Sequence, residues 1–464
     1  MLRKIVSVIA VLSLAALMFQ CGNFLSGGIL DHDPNRPTDV PLYAQLAGIQ
    51  PVTYGFVEGD IGIFTSMWMQ QIAGTGHQYS SYEVFEVTSD LFNGPWAQIY
   101  QEGGMIDTRD VAKKAEDKGD RIIAGIAKMH EALVVATAAD VWGDIPYSEA
   151  VNPAITSPKF DKQSEVHNAV LKLIDSAIED FNAGQENFDG SYDFAFGGNT
   201  SKWIQAAHTL KARILLNWAE VHSDNYQKAL NEAQQGISSF EGNWVATHND
   251  AVGEQNIYYQ FKAQRWYIRV GGNIVDMLKA DNDPRLEFYF GPNSKGEYVG
   301  SHNGEYNEEA SWFNESTYGA PDWDYDLVTW EENQFIKAEC QYNLGDEAGA
   351  LATLNETLAG IENRWVDYLG GKSLPRYSNL SGVDLLRAIM REKYKALLLN
   401  PQVWNDWKRT GFPQLTTFEN RPLPRRFLYP DTERNTNKNF PGTLGIYHRN
   451  ENDPGDPSYL SIIP

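Results

Sequence analysis

The sequence predicts a mainly α fold: an irregular helical scaffold interrupted by one long, loop-rich insert that carries short strands and helices. Three observations predict it. Apolar residues recur at helical spacing, as Ile122, Ile126, Met129, Leu133 and Ala136 do over residues 121–139. Two helical stretches far apart in the chain place small residues at matching intervals, the spacing that lets paired helices approach closely. Between them, residues 241–326 lose helical periodicity and are dense in Gly, Asn and aromatic rings. That run is too long for a simple loop of a compact domain. Hydrophobic content of 42% over 464 residues leaves ample core, and a net charge of −23 argues against nucleic acid as a partner.

Taken in order, the chain opens with Arg3 and Lys4 before an apolar run at 5–19, the pattern of a secretory signal over residues 1–20. Cys21 stands directly at its end, where lipidation would make it the first mature residue; a plain soluble export signal is the alternative. Residues 21–40, rich in Gly, Asp, Asn and Pro, form a tether. A single domain at 41–464 follows. A helix is expected over 57–76, with Trp68 and Met69 near its centre. The stretch 75–88 holds His77, Tyr79, Tyr82 and Phe85. One long helix is expected from 89 or 90 through Trp96, Ile99, Tyr100 and Ile106 to about 118.

The helix at 121–139 runs into a corner, A-D-V-W-G-D-I-P-Y-S-E-A, at 139–150. Gly143 permits positive φ, Pro146 pushes Ile145 out of the helical region, and Asp140 and Asp144 can accept from nearby backbone N–H groups. Conformational punctuation explains every residue in it, so its aspartates are structural. Amphipathic helices follow at 162–183, 200–222 and 224–239. The last opens Asp224-Asn225-Tyr226-x-x-Ala229-x-x-x-Ala233, and Leu344-Gly345-Asp346-x-x-x-Ala350-x-x-x-Leu354 repeats the pattern. Both resemble the second helix of a tetratricopeptide unit, which makes the scaffold tetratricopeptide-like; their wide separation argues against a regular solenoid. Helices resume at 329–344, 346–361 and 382–399, and the tail from 411 is an ordered wrap. Cys340, inside a helix, is a small buried hydrophobe.

Catalytic signatures are missing. His130-Glu131 lacks the second histidine of a zinc helix, and neither a P-loop nor a G-x-S-x-G elbow occurs. Asp322-x-Asp324-x-Asp326 starts like a calcium loop but has Leu327 and Asn333 where Gly and Glu are needed. No metal and no cofactor are called for. A binding surface has better support. Residues 301–330 carry Tyr306, Trp312, Phe313, Tyr318, Trp323, Tyr325 and Trp330, and no Lys or Arg occurs between Lys295 and Lys337. Sugars present C–H faces that stack on rings and hydroxyls that donate to carboxylates. Trp312, Tyr318, Trp323 and Tyr325 are therefore candidate platforms, with Trp323 and Tyr325 projecting from one face of an extended segment. His77, Tyr79 and Tyr82 are a second candidate wall.

The corner resembles the D-x-x-G-D-x-P-Y-x-E-A corner of the SusD/RagB family of surface nutrient-binding lipoproteins. Four further landmarks are similar, in order: Asp283-Pro284-Arg285-Leu286 with Tyr289; Trp330-Glu331-x-x-Gln334-Phe335-x-x-Ala338-Glu339; Arg391-Glu392-Lys393-Tyr394 with Trp404-x-Asp406 and Arg409-Thr410-Gly411-x-Pro413; and Pro424-x-Arg426-x-x-Tyr429-Pro430-x-x-Glu433-x-x-x-Asn437. The resemblance covers most of 40–445. It implies a lipid-anchored outer-membrane protein, without catalysis, that captures a glycan and delivers it to a SusC-type TonB-dependent transporter. Gly22 and Asn23 depart from the acidic cluster that often follows the cysteine in surface-exported members. The alternatives are a peptide-capturing lid of the RagB type and a secreted glycan hydrolase.

Overall fold

A computed structural model describes residues 40–455 apart from 102 and 186. The signal run, Cys21 and all but the last residue of the tether lie outside the described residues. The chain divides into a unit ending at Gln45 and a body from Leu46 onward. In the first unit, Gln45 turns its side-chain amide onto the Val40 carbonyl at 2.7 Å. Helix α1 spans Leu42–Phe56.

The body is mainly α. Where one helix was expected over 57–76, a wide turn at Val57–Ile61 is followed by α2 (Gly62–Trp68) and strand β1 (Ile72–Gly74). Helical propensity loses here to a distant partner, because β1 pairs with a strand of the insert. Helix α3 (His77–Glu83) follows. The helix expected from 89 to 118 is two, α4 (Asn93–Tyr100) and α5 (Met105–Lys118), broken where Gly103 takes φ +92°.

Helix α6 (Arg121–Trp142) is the axis of the scaffold. It is long and apolar enough to cross a membrane, yet 94% of its most apolar stretch is buried in the body. Helices α5 and α7 (Gln163–Ala183) pack on it, α8 (Thr200–Leu216) packs on α7, and α9 (Asn225–Ala233) pairs back onto α8. The chain then leaves the scaffold. It returns as α13 (Trp330–Asn343), α14 (Glu347–Arg364) and α15 (Gly382–Ala396). Helix α13 lies against both α9 and α14, so the two half-repeats flank one helix although the insert separates them in sequence. Tyr226, Ala229 and Ala233 of α9 share one buried cluster with Ile336 and Cys340 of α13.

Between α9 and α13 come β2 (Trp244–Ala246), α10 (Ile257–Gln264), β3 (Ile268–Val270), α11 (Gly272–Ala280), α12 (Arg285–Tyr289), β4 (Phe290–Gly291), β5 (Trp312–Phe313) and β6 (Tyr325–Val328). The strands form three antiparallel ribbons, β1–β3, β2–β6 and β4–β5. The Asp283 and Arg285 landmark is a buried charge cluster: Arg285 bridges Asp283 and Glu392, and Lys395 joins both carboxylates. Burial pushes the Asp283 carboxyl up, but the neighbouring guanidinium and ammonium outweigh it and hold Asp283 well below the usual range.

Helix α16 (Gln402–Thr410) precedes the C-terminal wrap, which carries α17 (Asp431–Thr436). Phe427 anchors it, with its ring centroid 5.2 Å from Trp68, 5.3 Å from Trp142 and 5.5 Å from Trp404. The same wrap closes the corner: Tyr429 Oη donates to the Asp144 carbonyl at 2.7 Å, and Trp142 Nε1 donates to the Leu428 carbonyl at 2.9 Å. Asp140 is buried and accepts from Asn217 and Asn405 amides. Together with the Asn450 amide, which donates to the Asp140 carbonyl at 3.3 Å, the Tyr429 and Trp142 bonds hold the wrap to the end of α6.

Candidate functional site

The insert meets the body at the β1–β3 ribbon, in the register Ile72↔Val270, Ala73↔Arg269 and Gly74↔Ile268. One residue beyond, Thr75 N–H donates to the Tyr267 carbonyl at 2.8 Å. That pairing sets the start of α3 beside Tyr267. His77 opens the helix at φ +51° and lays its ring 4.2 Å from the Tyr267 centroid. Next to Tyr267, Trp266 is 64% exposed and held at φ +66°, a conformation that costs energy for any residue but Gly. Arg269 holds it there. Its guanidinium lies 5.4 Å from the Trp266 ring and donates to the carbonyls of Trp266, Ile268 and Glu308. Burial lowers the Arg269 pKa from its usual value, with Glu308 opposing.

At the other end of α3, a loop of the insert carries Tyr306, 38% exposed and also at positive φ. Asn303 fastens this loop to the end of α3, donating to the Glu83 carbonyl at 2.7 Å and accepting from Phe418 N–H at 2.7 Å. Beneath it Glu83 is buried, with one carboxyl oxygen unpaired. Burial pushes its pKa from 4.5 up to about 9, against a hydrogen bond from Gly304 N–H and with help from Glu305. His77, Trp266, Tyr267 and Tyr306 thus come from the start of α3 and from two insert segments, and Asn303 and the β1–β3 ribbon hold those segments to α3. Exposed rings bordered by carboxylates and amides can stack on apolar faces and accept from hydroxyls.

Three of the expected platforms are corrected by burial. Trp312 is only 8% exposed: β5 pairs it opposite Gly291, and its ring lies against Phe313 and under Arg269. Tyr325 is 4% exposed, stacks on Tyr258 and donates its hydroxyl to the Leu399 carbonyl at 2.7 Å. It does not share an open face with Trp323. Tyr79 is buried edge-on to Phe261 and Tyr82. Of the wall expected at 77–82, His77 is exposed, while Tyr82 is half-buried with its ring against Phe64.

Tyr318 and Trp323 go elsewhere. Both are half-buried; Tyr318 donates to the Leu398 carbonyl, and the two rings lie 5.7 Å apart. Trp323 continues into a second partly exposed cluster with Trp365 and Tyr368, beyond the end of α14. Trp266 and Tyr267 escape a search for base-free aromatic runs because Arg265 and Arg269 flank them. Their signal is subtler: a ring pair set between arginines at a strand start, where a guanidinium can lie on a ring.

Other features are structural. His130 sits in a box of Tyr54, Trp203 and Trp244 rings, and burial holds it neutral with a pKa of about 3. In the Asp322-x-Asp324-x-Asp326 run, Asp324 accepts from His248 N–H, while Asp326 lies in β6 opposite Val245. Among the described residues no group of three or more His, Cys, Asp or Glu is placed to hold a metal. A wide recess of about 1090 Å³ is bordered by Arg109, Pro146, Pro153 and Pro158, and Tyr100 is the single aromatic ring in its lining.

The SusD-like family model described as "Starch-binding associating with outer membrane" matches residues 38–430. A SusD/RagB family protein from Bacteroides thetaiotaomicron has a similar structure at TM-score 0.71 and 21% identity, covering 86% of this chain and 95% of that one. A chitin-binding SusD homologue from Flavobacterium johnsoniae is similar at TM-score 0.74 and 17% identity, covering 90% and 98%. A further solved structure, a chitin-binding protein, gives TM-score 0.75 at 20% identity, covering 89% and 100%. At these identities the structures establish the fold alone. No curated protein matches the chain. Because the family match spans most of the chain, from before α1 to the C-terminal wrap, the protein belongs to the SusD-like family.

Proposed function

We propose that this protein binds a neutral oligosaccharide or polysaccharide, without turnover, on the rings of His77, Trp266, Tyr267 and Tyr306. It then hands the glycan to a SusC-type TonB-dependent transporter, while a lipid on Cys21 holds it in the outer membrane. The observation that carries this reading is Trp266: a large ring 64% exposed and kept in a strained backbone conformation by a buried arginine. Strain of this kind persists where surrounding structure over-determines it, and it clusters at ligand sites. The family description supports a polysaccharide ligand, and two structural relatives are chitin-binding. Stacking on neutral C–H faces suits an acidic protein that would repel anionic ligands.

A glycan array probed with the chain from residue 22 onward tests this directly. Retention of starch- or chitin-type oligosaccharides is expected. Binding confined to peptides would favour the RagB-type reading, and release of shortened sugars would revive the hydrolase.

A further inference from the structure

We infer that Trp323, Trp365 and Tyr368 form a second carbohydrate subsite, which takes a distant stretch of the same long glycan. The inference rests on the glycan reading above. The three rings come from the insert and from the turn after α14, with centroids 5.3, 6.2 and 6.1 Å apart. They stand on one buried floor, Phe288, whose centroid is 5.6 Å from Trp323, 4.9 Å from Trp365 and 5.6 Å from Tyr368. Their inner faces are spent on that floor. Tyr368 is nevertheless 46% exposed, as is 55% of neighbouring Val366, and Trp323 and Trp365 are half-open.

The rings are fixed before any ligand arrives. The Arg364 guanidinium lies 4.2 Å from the Trp365 ring and is itself pinned by an ion pair with Glu331. Asn256 donates its side-chain amide to the Trp323 carbonyl at 3.0 Å. A ring that is already ordered loses little entropy on stacking. Exposed Asp322, Asp324 and Asp367 border the cluster, supplying acceptors for hydroxyls and discouraging an anionic ligand.

Position ties this cluster to the first. Helix α10 is capped by Asn256, whose N–H also donates to the Pro321 carbonyl, and ends just before Trp266. The two ring clusters therefore lie off opposite ends of one eight-residue helix, about 12 Å long. Its Tyr258 and Phe261 are buried, so the spacer is rigid. A disaccharide is confined to one cluster, whereas a long chain can engage both, and the second contact then adds avidity.

The test compares calorimetry on maltose and chitobiose with retardation in gels containing soluble starch or glycol chitin. Tyr368→Ala and Trp365→Ala are expected to keep the short-sugar affinity within about twofold and to lose roughly tenfold or more of the polymer affinity. Trp266→Ala should lose both. Tyr368 is exposed enough that its variant stays folded even if Trp365→Ala does not. Unchanged polymer binding by folded Tyr368→Ala overturns the second subsite alone. Equal loss of short and long sugars in Tyr368→Ala would make this cluster the primary site and also overturn it. A wild-type protein retarded by neither polymer and binding neither sugar fails the glycan reading itself.

Discussion

Glu83 gives the fold a pH dependence beside the site. Its carboxyl lies beneath the Tyr306 loop, and burial pushes its pKa up to about 9, far above the ordinary 4.5. As pH rises past about 4.5 the unfolded chain gives up this proton while the folded protein keeps it. The stability present below that pH is therefore lost progressively until the folded group itself ionises near 9. Glu83→Gln removes the titration and should raise the melting temperature at pH 8. The gain is the cost of keeping the carboxyl protonated above its ordinary pKa, at most about 1.4 kcal/mol for each pH unit above 4.5, with little change at pH 4. Thermal melts at the two pH values measure it, and an equal change at both would mean that Glu83 does not titrate there. Rings at residue scale were harder to foresee. Trp312 and Tyr325 share their base-free run with Trp323, yet only Trp323 keeps an open face. What decides is the partner: Gly291 across β5 for Trp312, and Leu399 and Tyr258 for Tyr325. None of these is adjacent in sequence.

At the scale of elements, the helices of the scaffold were legible because periodicity is local, and the corner because its Gly, Pro and Asp act on their own backbone. The errors fall where a distant partner or a pair of glycines intervenes: β1 instead of a helical turn, and α4 and α5 instead of one helix. The corner also allows a quantitative test. Gly143 takes φ +84°, and a Cβ there would lie 2.6 Å from Asn450 Oδ1 in the C-terminal wrap. Gly143→Val should therefore destabilise the fold by roughly 1–3 kcal/mol while leaving sugar affinity intact. Chemical denaturation reads the first quantity and calorimetry the second. Lost binding in a variant of full stability would instead place the corner in the ligand site.

On the scale of the whole molecule, the insert separates two halves of one helical stack, and its own ribbons display rings at two places. The mainly α class could be read from the sequence, but the display could not. It depends on β1–β3 pairing, which sets Tyr267 beside His77 across a wide gap in sequence. Anchoring by lipid gives one molecular prediction, that Cys21→Ala releases the protein from the membrane fraction; unchanged retention without fatty-acid labelling of the unaltered chain would remove the anchor. The central claim is that exposed rings at the start of α3 and on the insert hold a neutral glycan. Calorimetric titration of wild type and Trp266→Ala, with the oligosaccharide an array selects and at two salt concentrations, tests it most directly. The account predicts a loss of roughly 1–3 kcal/mol, about 5- to 150-fold in affinity, in a variant that remains folded. It also predicts little effect of salt, because stacking is uncharged. Unaltered affinity in folded Trp266→Ala, or binding shed as salt rises, would contradict it.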